Sequence, residues 1–417
     1  MAPVLLPSPS YFVSVDALAL RTGMARIEEQ FRDLLENGNQ ARGLPGGMYA
    51  AGQHLNPYSM NQRGLYGTAA ALLVLGRSQP SPRRIALIEG LIRYITERPT
   101  LEPELLSGEE DLPDLRGRLT RDEQITFKTA DLVYALSAAP HAAAGQGPLL
   151  QKLLATLDGA RRPGGGWSCR LNPTADRDAL ATASVVRSLC AAGVLVDPVD
   201  RKLVEDDAAD SKVSAYIRTF CVLVLAEITN GGQVAVRLWR ELFETLRGEL
   251  RQRTESNYEF RIGLGMQYVR VPWQLYLIAG ACWCRPSSIV FGREMRAALL
   301  DCIEAVGSVE GYFYPAFGEM KSTRTYGIAM DTLWRVQDSL TKFRYVARLS
   351  VAANIATRII YSRAASVLAL AGALALIGVA LAEWITGSGL PWAAIGPELA
   401  GAALLGVTGF LLRRIRR

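Results

Sequence analysis

The side chains in this sequence best suited to chemistry are basic and aromatic ones gathered in loops. His54, Asn56, Arg63, Lys128, Arg170, Asn172, Arg177, Arg261, Arg270, Lys321 and Arg324 each fall in a stretch leading into an apolar run. Arginine forks match phosphate oxygens, and Tyr49, Tyr58, Trp167, Tyr258, Tyr268, Tyr312 and Tyr314 in the same stretches offer faces for stacking on bases. If the loops meet at one end of a fold, they predict a basic mouth that holds a nucleotide or short oligonucleotide. Asp176, Asp178, Glu259 and Glu319 supply the competing arrangement, a solvated rim of ordinary ion pairs.

Other chemistries are poorly represented. The chain has 6 Cys and 2 His, and its only close cysteine pair, Cys282-Trp283-Cys284, lacks CxxC spacing. Neither a zinc ribbon nor a disulfide framework is indicated, and reduced thiols fit a cytoplasmic domain. No GxxxxGK[ST], GxSxG or HExxH string occurs. The expectation is therefore no catalytic set, no metal site and no cofactor. The net charge of +6, from 46 Lys+Arg against 40 Asp+Glu, is mild, so a basic site must be argued from position.

The elements that would position these residues repeat. Gly46-Gly47-Met48-Tyr49, Leu55-Asn56-Pro57 and Thr68-Ala69-Ala70 describe a glycine turn, a polar loop and an apolar helix running to Leu75. Gly165-Gly166-Trp167, Leu171-Asn172-Pro173 and Thr182-Ala183-Ser184 describe them again, with the loop two residues shorter. Weaker copies begin at Thr129-Ala130-Asp131, Trp273-Gln274-Leu275 and Thr325-Tyr326-Gly327. Amphipathic helices are predicted at Asp16–Glu36, Pro82–Glu97, Pro148–Asp158, Val236–Arg253 and Arg293–Val306. Alternating apolar and amphipathic helices suit a ring of helical hairpins, with covered helices inside and half-wet ones outside. Short β-hairpins are expected near Tyr258–Val271 and Gly311–Phe317.

The run from Pro148-Leu149-Leu150-Gln151 to Leu157-Asp158, then Gly164-Gly165-Gly166-Trp167, then Asp178 to Leu189 resembles the repeat of prenyltransferases and squalene/hopene-type cyclases. That resemblance implies an α/α toroid. It also supplies enzyme patterns to test. The cyclases' acidic DxDD motif is matched here only by Asp176-Arg177-Asp178-Ala179, without the last Asp. Protein prenyltransferases hold zinc with Asp, Cys and His, whereas His54 and His141 lie in no Cys-bearing ligand pattern. Asp206-Asp207-Ala208-Ala209-Asp210 is similar to the DDxxD motif that carries Mg²⁺-diphosphate in class I terpene synthases. The sequence places these acids just ahead of a helix near Lys212, where they would meet the positive end of its dipole.

The C-terminal stretch has a different character. No charge occurs from Ala364 to Ala382, and a second apolar run extends from Pro391 to Leu412, broken by Pro397-Glu398. Each is long enough to cross about 30 Å of hydrocarbon as a helix. Trp384 and Trp392 flank the turn, while Arg358, Arg363, Arg413, Arg414, Arg416 and Arg417 place both ends of the hairpin in the cytoplasm. Glu383 and Glu398 are ionisable groups in or beside the spans, the kind that line a pathway. No Gly or Pro occurs from Ile328 to Ala371, so one helix can run from the soluble part toward the first span.

The resulting expectation is an all-α chain in three parts: a toroid sensor at 1–340, a basic connector helix at 341–363 and a transmembrane hairpin at 364–417. It sits in the inner (plasma) membrane with N- and C-termini cytoplasmic, and its partners are the lipid bilayer, an anionic nucleotide or oligonucleotide, and other copies of itself in a homo-oligomer such as a tetramer. Two helices cannot enclose a pore alone, so hairpins of several subunits would form an ion channel with Glu383 and Glu398 lining its mouth. The layout is similar to the membrane effectors of bacterial anti-phage nucleotide-signalling systems, which implies a nucleotide-synthesising enzyme as partner. The alternative is a membrane-anchored isoprenoid cyclase or prenyltransferase-like enzyme.

Overall fold

The computed structural model describes residues 9–42, 44, 46–52, 55, 64–97, 125–138, 147–250, 257–262, 265–270, 273–307 and 322–360; for 9–16, 38–42, 66, 257–262, 265–270, 287, 290, 291 and 342–360 the backbone alone is described. The chain divides into two compact units, Val13–Thr341 and a second built from Met1–Phe12 with Lys342–Arg417. The first unit carries most of the described residues. Of the second, only backbone helix at 9–12 and 342–360 is described. The proposed spans at 364–417 lie outside the described residues, among which no helix is long and apolar enough to cross a membrane.

Within Val13–Thr341 the described residues are helical apart from one antiparallel hairpin. In chain order the helices are α1 (Pro9–Arg42), α2 (Leu65–Arg77), α3 (Pro82–Glu97), α4 (Thr126–Ala138), α5 (Gly147–Gly159), α6 (Ala179–Ala191) and α7 (Pro198–Ala209). They continue with α8 (Ala215–Ile228), α9 (Gln233–Leu246), α10 (Trp273–Cys284), α11 (Pro286–Phe291), α12 (Arg293–Gly307) and α13 (Thr323–Ile360). The hairpin pairs β1 (Asn257–Ile262) with β2 (Gly265–Arg270). A second short hairpin, expected at Gly311–Phe317, falls outside the described residues.

Two kinds of helix alternate, for a physical reason visible in their burial. In α4, α8 and α10 nearly every residue is buried, consistent with neighbours on all sides. In α9 the buried positions are Ala235, Leu238, Trp239, Leu242 and Leu246, the spacing of one helix face. The covered helices pack in succession: α2 on α4, α4 on α6, α6 on α8, α8 on α10. The last one, α13, touches both ends of that series. Thr332 donates to the Leu275 carbonyl of α10, while a side chain at Gly327 would abut Ala70 of α2. Outside them lie α3 on α2, α5 on α4, α7 on α6 and α8, α9 on α8 and α10, and α12 on α10. α1 fills the remaining place, with Gly23 against Leu333 and Ile303, and Glu28 and Glu36 holding Arg84 and Arg83 of α3.

The internal repeat has a structural counterpart, with one shift of register. The Thr68 hydroxyl donates to the Gly64 carbonyl at 2.6 Å and accepts from the Ala51 amide at 3.3 Å. Thr182 does the same with the Asp178 carbonyl at 2.7 Å and the Trp167 amide at 3.1 Å. Ala51 therefore corresponds to Trp167, and the two glycine pairs stand three residues out of step along the chain. Both pairs still face the outer layer. Tyr49 and Gly46 bond to Gly90 and Arg93 of α3, whereas Gly166 donates to Asp200 of α7. Gly166 has φ 71°, and an added Cβ would lie 2.9 Å from the Arg177 side chain and 3.0 Å from Thr182 Oγ1, so only glycine fits.

Candidate functional site

Charged residues inside apolar helices create the main site. Asp331 of α13 accepts from Arg77 Nη2 of α2 at 3.0 Å, Arg187 Nη2 of α6 at 2.8 Å, Arg335 Nε at 3.0 Å and Tyr134 Oη of α4 at 3.1 Å. Glu227 of α8 receives two 2.9 Å bonds from Arg187 and an ion pair from Arg335 at 3.0 Å. The Tyr134 hydroxyl also accepts from Arg335 at 2.7 Å and Arg187 at 3.0 Å. Arg187 lies 4.0 Å over the Tyr134 ring, and Arg77 lies 3.9 Å over Trp334. The network thus ties α13 to four other helices of the covered layer.

Its electrostatics are those of fully desolvated, multiply bonded ions. The side chains of Arg187, Asp331 and Arg335 are at most 9% exposed. Burial alone would raise the Asp331 carboxyl, yet Arg335, Arg77 and Arg187 hold it well below the usual carboxylate range. Burial pushes the Tyr134 hydroxyl up against the pull of Arg187 and Arg335, so it stays neutral and able to donate. Burial opposes the charge on Arg335 and Arg187 as well, and the two carboxylates more than compensate.

A second level lies nearer the helix N-termini. Arg324 in the first turn of α13 pairs with Asp131 of α4 at 3.3 Å and lies 5.0 Å over the Phe127 ring. Tyr216 of α8 and Tyr276 of α10 meet hydroxyl to hydroxyl at 3.3 Å, with Phe220 packed 4.8 Å from the Tyr276 ring. Burial raises the Asp131 carboxyl, against opposition from Arg324 and Arg187. Between the two levels is a cavity with about 40 Å³ of room for the centres of water-sized atoms, bordered by all six covered helices. That is space for about three waters.

The residues expected at the basic mouth divide into distinct environments. Arg170 and Asn172 are exposed in the loop before α6, and an isolated bridge from Arg170 to Ile125 sets that loop beside the start of α4. Lys128, in the first turn of α4, and Arg324 are buried. Arg177 is committed to a two-pronged pair with Asp207, at 2.5 and 2.7 Å. Arg261 and Arg270 lie on β1 and β2, described for backbone alone. His54, Asn56, Arg63, Lys321, Glu383 and Glu398 lie outside the described residues.

The acidic string is placed differently from expectation. Asp206 and Asp207 do not precede a helix but belong to the last turn of α7, and Asp210 caps its C-terminal end. The next helix, α8, is capped by Ser214 instead. Asp207 is buried against Arg177, Asp206 pairs with Lys202 on the surface, and Asp210 accepts from the Lys212 amide. The three carboxylates are separately engaged, and no metal-holding group of His, Cys, Asp or Glu occurs among the described residues. Asp178, of the partial DxDD string, caps α6 through the Ala181 amide. Burial pushes the Cys282 and Cys284 thiols up to about 12, leaving both protonated at neutral pH.

Arg77, Tyr134, Arg187, Glu227, Asp331 and Arg335 were not singled out from the sequence. Their signal was available: isolated charges in otherwise apolar helical runs, such as Arg187 between Val186 and Ser188 and Glu227 after Val222–Ala226. Comparison with known proteins adds no assignment. No protein-family model, curated protein or solved structure matches the chain.

Proposed function

We propose that this chain is a ligand-controlled membrane effector in which an α/α toroid governs an oligomeric transmembrane hairpin. The observation that carries this reading is α13. Asp331 and Arg335 key it into the charged interior, and the same helix continues without a break to Ile360, four residues before the apolar run that begins at Ala364. A change in what occupies the interior would alter the bonds that hold α13, which is how a bistable element transmits a binding event.

The toroid is supported by the closed series of contacts from α2 through α13 back to α2, with a second helix outside each step. In this reading the hairpins of a homo-oligomer, such as a tetramer, form an ion-conducting bundle in the inner membrane, with Glu383 and Glu398 at its mouth and both termini cytoplasmic. The ligand is an anionic nucleotide or short oligonucleotide, made by a partner enzyme in an anti-phage response. Arg170 and Asn172 are the exposed ones among the mouth residues whose side chains are described. The isoprenoid-enzyme alternative has less behind it, since its acidic string is dispersed and its cavity is small.

Ion flux in liposomes tests the proposal. Full-length protein should conduct, a version ending at Tyr361 should not, and Glu398→Gln should change ion preference; nucleotides or oligonucleotides should alter the flux. Silence from a folded oligomer under all of these additions would reduce the hairpin to an anchor.

A further inference from the structure

Four charged groups border the interior cavity: Arg187 and Asp331 from the lower level, Arg324 and Asp131 from the upper. Two are positive and two negative. An anion entering there meets both carboxylates and a cation meets both guanidiniums, so the lining favours a neutral guest. Its hydrogen-bonding capacity is less evenly spent. Arg187 donates through Nε and Nη2, to Glu227, Tyr134 and Asp331, while its Nη1 bonds to nothing among the described residues. Nη1 is not one of the unpartnered atoms sealed away by packing, so its two N–H groups open on the space that Arg187 borders. Asp131 offers the complement. It turns Oδ2 to Arg324 at 3.3 Å, its side chain keeps 28% exposure, and a carboxylate has about four lone-pair sites, so acceptor capacity remains. Burial raises the Asp131 carboxyl, and Arg187 is one of the charges, after Arg324, near enough to oppose that rise.

We propose that the central cavity binds one small neutral molecule carrying a primary carboxamide, of formamide or acetamide size, whose carbonyl oxygen accepts from Arg187 Nη1 and whose N–H donates to Asp131. Room for about three waters matches three or four heavy atoms. A hydroxyl has donor and acceptor on one atom, whereas a carboxamide carries them on two, as a space of that size between the two groups requires. Leu73 of α2 and the Phe220 and Tyr276 rings supply apolar walls for the rest of the guest. This site is separate from the basic mouth. Its occupant would link α4 to α6 beside the network that holds α13. The inference uses only the interior of the helical ring and stands whether or not the C-terminal segment crosses a membrane.

The test is saturation-transfer NMR on the full-length detergent-purified protein, titrated with acetamide and, separately, with acetone and acetate, which match it in size. Acetamide should give a saturable signal at millimolar concentration, within what so few atoms can supply. Acetone has no N–H for Asp131, and acetate brings a negative charge beside two carboxylates. Each should bind about tenfold more weakly, the worth of one hydrogen bond to a charged group. Leu73→Phe fills the cavity without changing either polar partner and should remove the saturable acetamide signal. No saturable signal in the wild type, equal binding of either analogue, or undiminished binding in Leu73→Phe would overturn the site. Where Leu73→Phe fails to fold, difference density from wild-type crystals grown with and without acetamide decides: a planar feature between Arg187 and Asp131 supports the site, and water alone there overturns it.

Discussion

Two arginine–carboxylate clusters in this molecule use the same chemistry in opposite ways. At the periphery, Arg161 bonds Asp197 and Asp200, and Asp200 in turn accepts from the Gly166 amide, so the pair fixes a glycine turn onto α7. Arg161 remains 30% exposed there, and the cluster serves one local connection. In the interior, Arg77, Arg187 and Arg335 converge on Asp331 and Glu227 from different helices, with almost no water. Apolar residues would pack such a centre at lower cost, since desolvating ions often outweighs their attraction. The difference teaches that the peripheral cluster is explained by folding, while the interior one calls for a role in specificity or signalling.

The sharpest way to break this contrast is to remove the shared acid. Asp331→Ala should cost about 3–5 kcal/mol in denaturant unfolding, because three buried arginines then face Glu227 alone. The pH response follows in sign. A carboxyl held below its ordinary value stabilises fully above about pH 4 and loses that contribution as pH falls through the folded-state value. Wild-type stability should therefore fall on acidification from about pH 5 to about pH 2, and fall less in Asp331→Asn.

Gly166→Ala probes the peripheral cluster. The positive φ and the close approach of Arg177 and Thr182 predict a loss of about 2 kcal/mol, measurable by urea unfolding. Smaller still are the two repeat threonines. Thr68→Val and Thr182→Val each remove a hydroxyl that bridges a helix start to its preceding loop, and each should cost about 1 kcal/mol, equal within error if the repeats are equivalent. At the bottom of the scale, Lys202→Ala breaks only exposed pairs with Asp206 and Glu205 and should leave the unfolding midpoint unchanged.

The alternation of apolar and amphipathic helices was legible because burial on all sides and burial on one face leave different periodicities, as α8 and α9 display. α7 was not. Its buried residues are Asp200, Val204, Asp207 and Ala208, so its inward face carries carboxylates in place of leucines, and the sequence pattern places these acids only ahead of a helix near Lys212. The start was nonetheless written locally, in the Asp197 cap followed by Pro198. α1, predicted over Asp16–Glu36, extends beyond both ends to Pro9 and Arg42. The interior network escaped notice for a related reason. A charge within a helix reads as its wet face, and only the meeting of Arg77 with Asp331, 254 positions apart, shows that the face is dry.

The claim underlying this account is that α13 closes the series of covered helices against α2, since that contact joins the charged interior to the helix leading toward the C-terminus. Oxidative cross-linking of an Ala70→Cys/Gly327→Cys protein tests it directly. A Cβ at 327 would lie 3.3 Å from that of Ala70, close to disulfide spacing. The account predicts a linkage between the two positions, identified by peptide mass and absent from either single variant. A folded double variant in which both thiols remain separate under oxidation would contradict it.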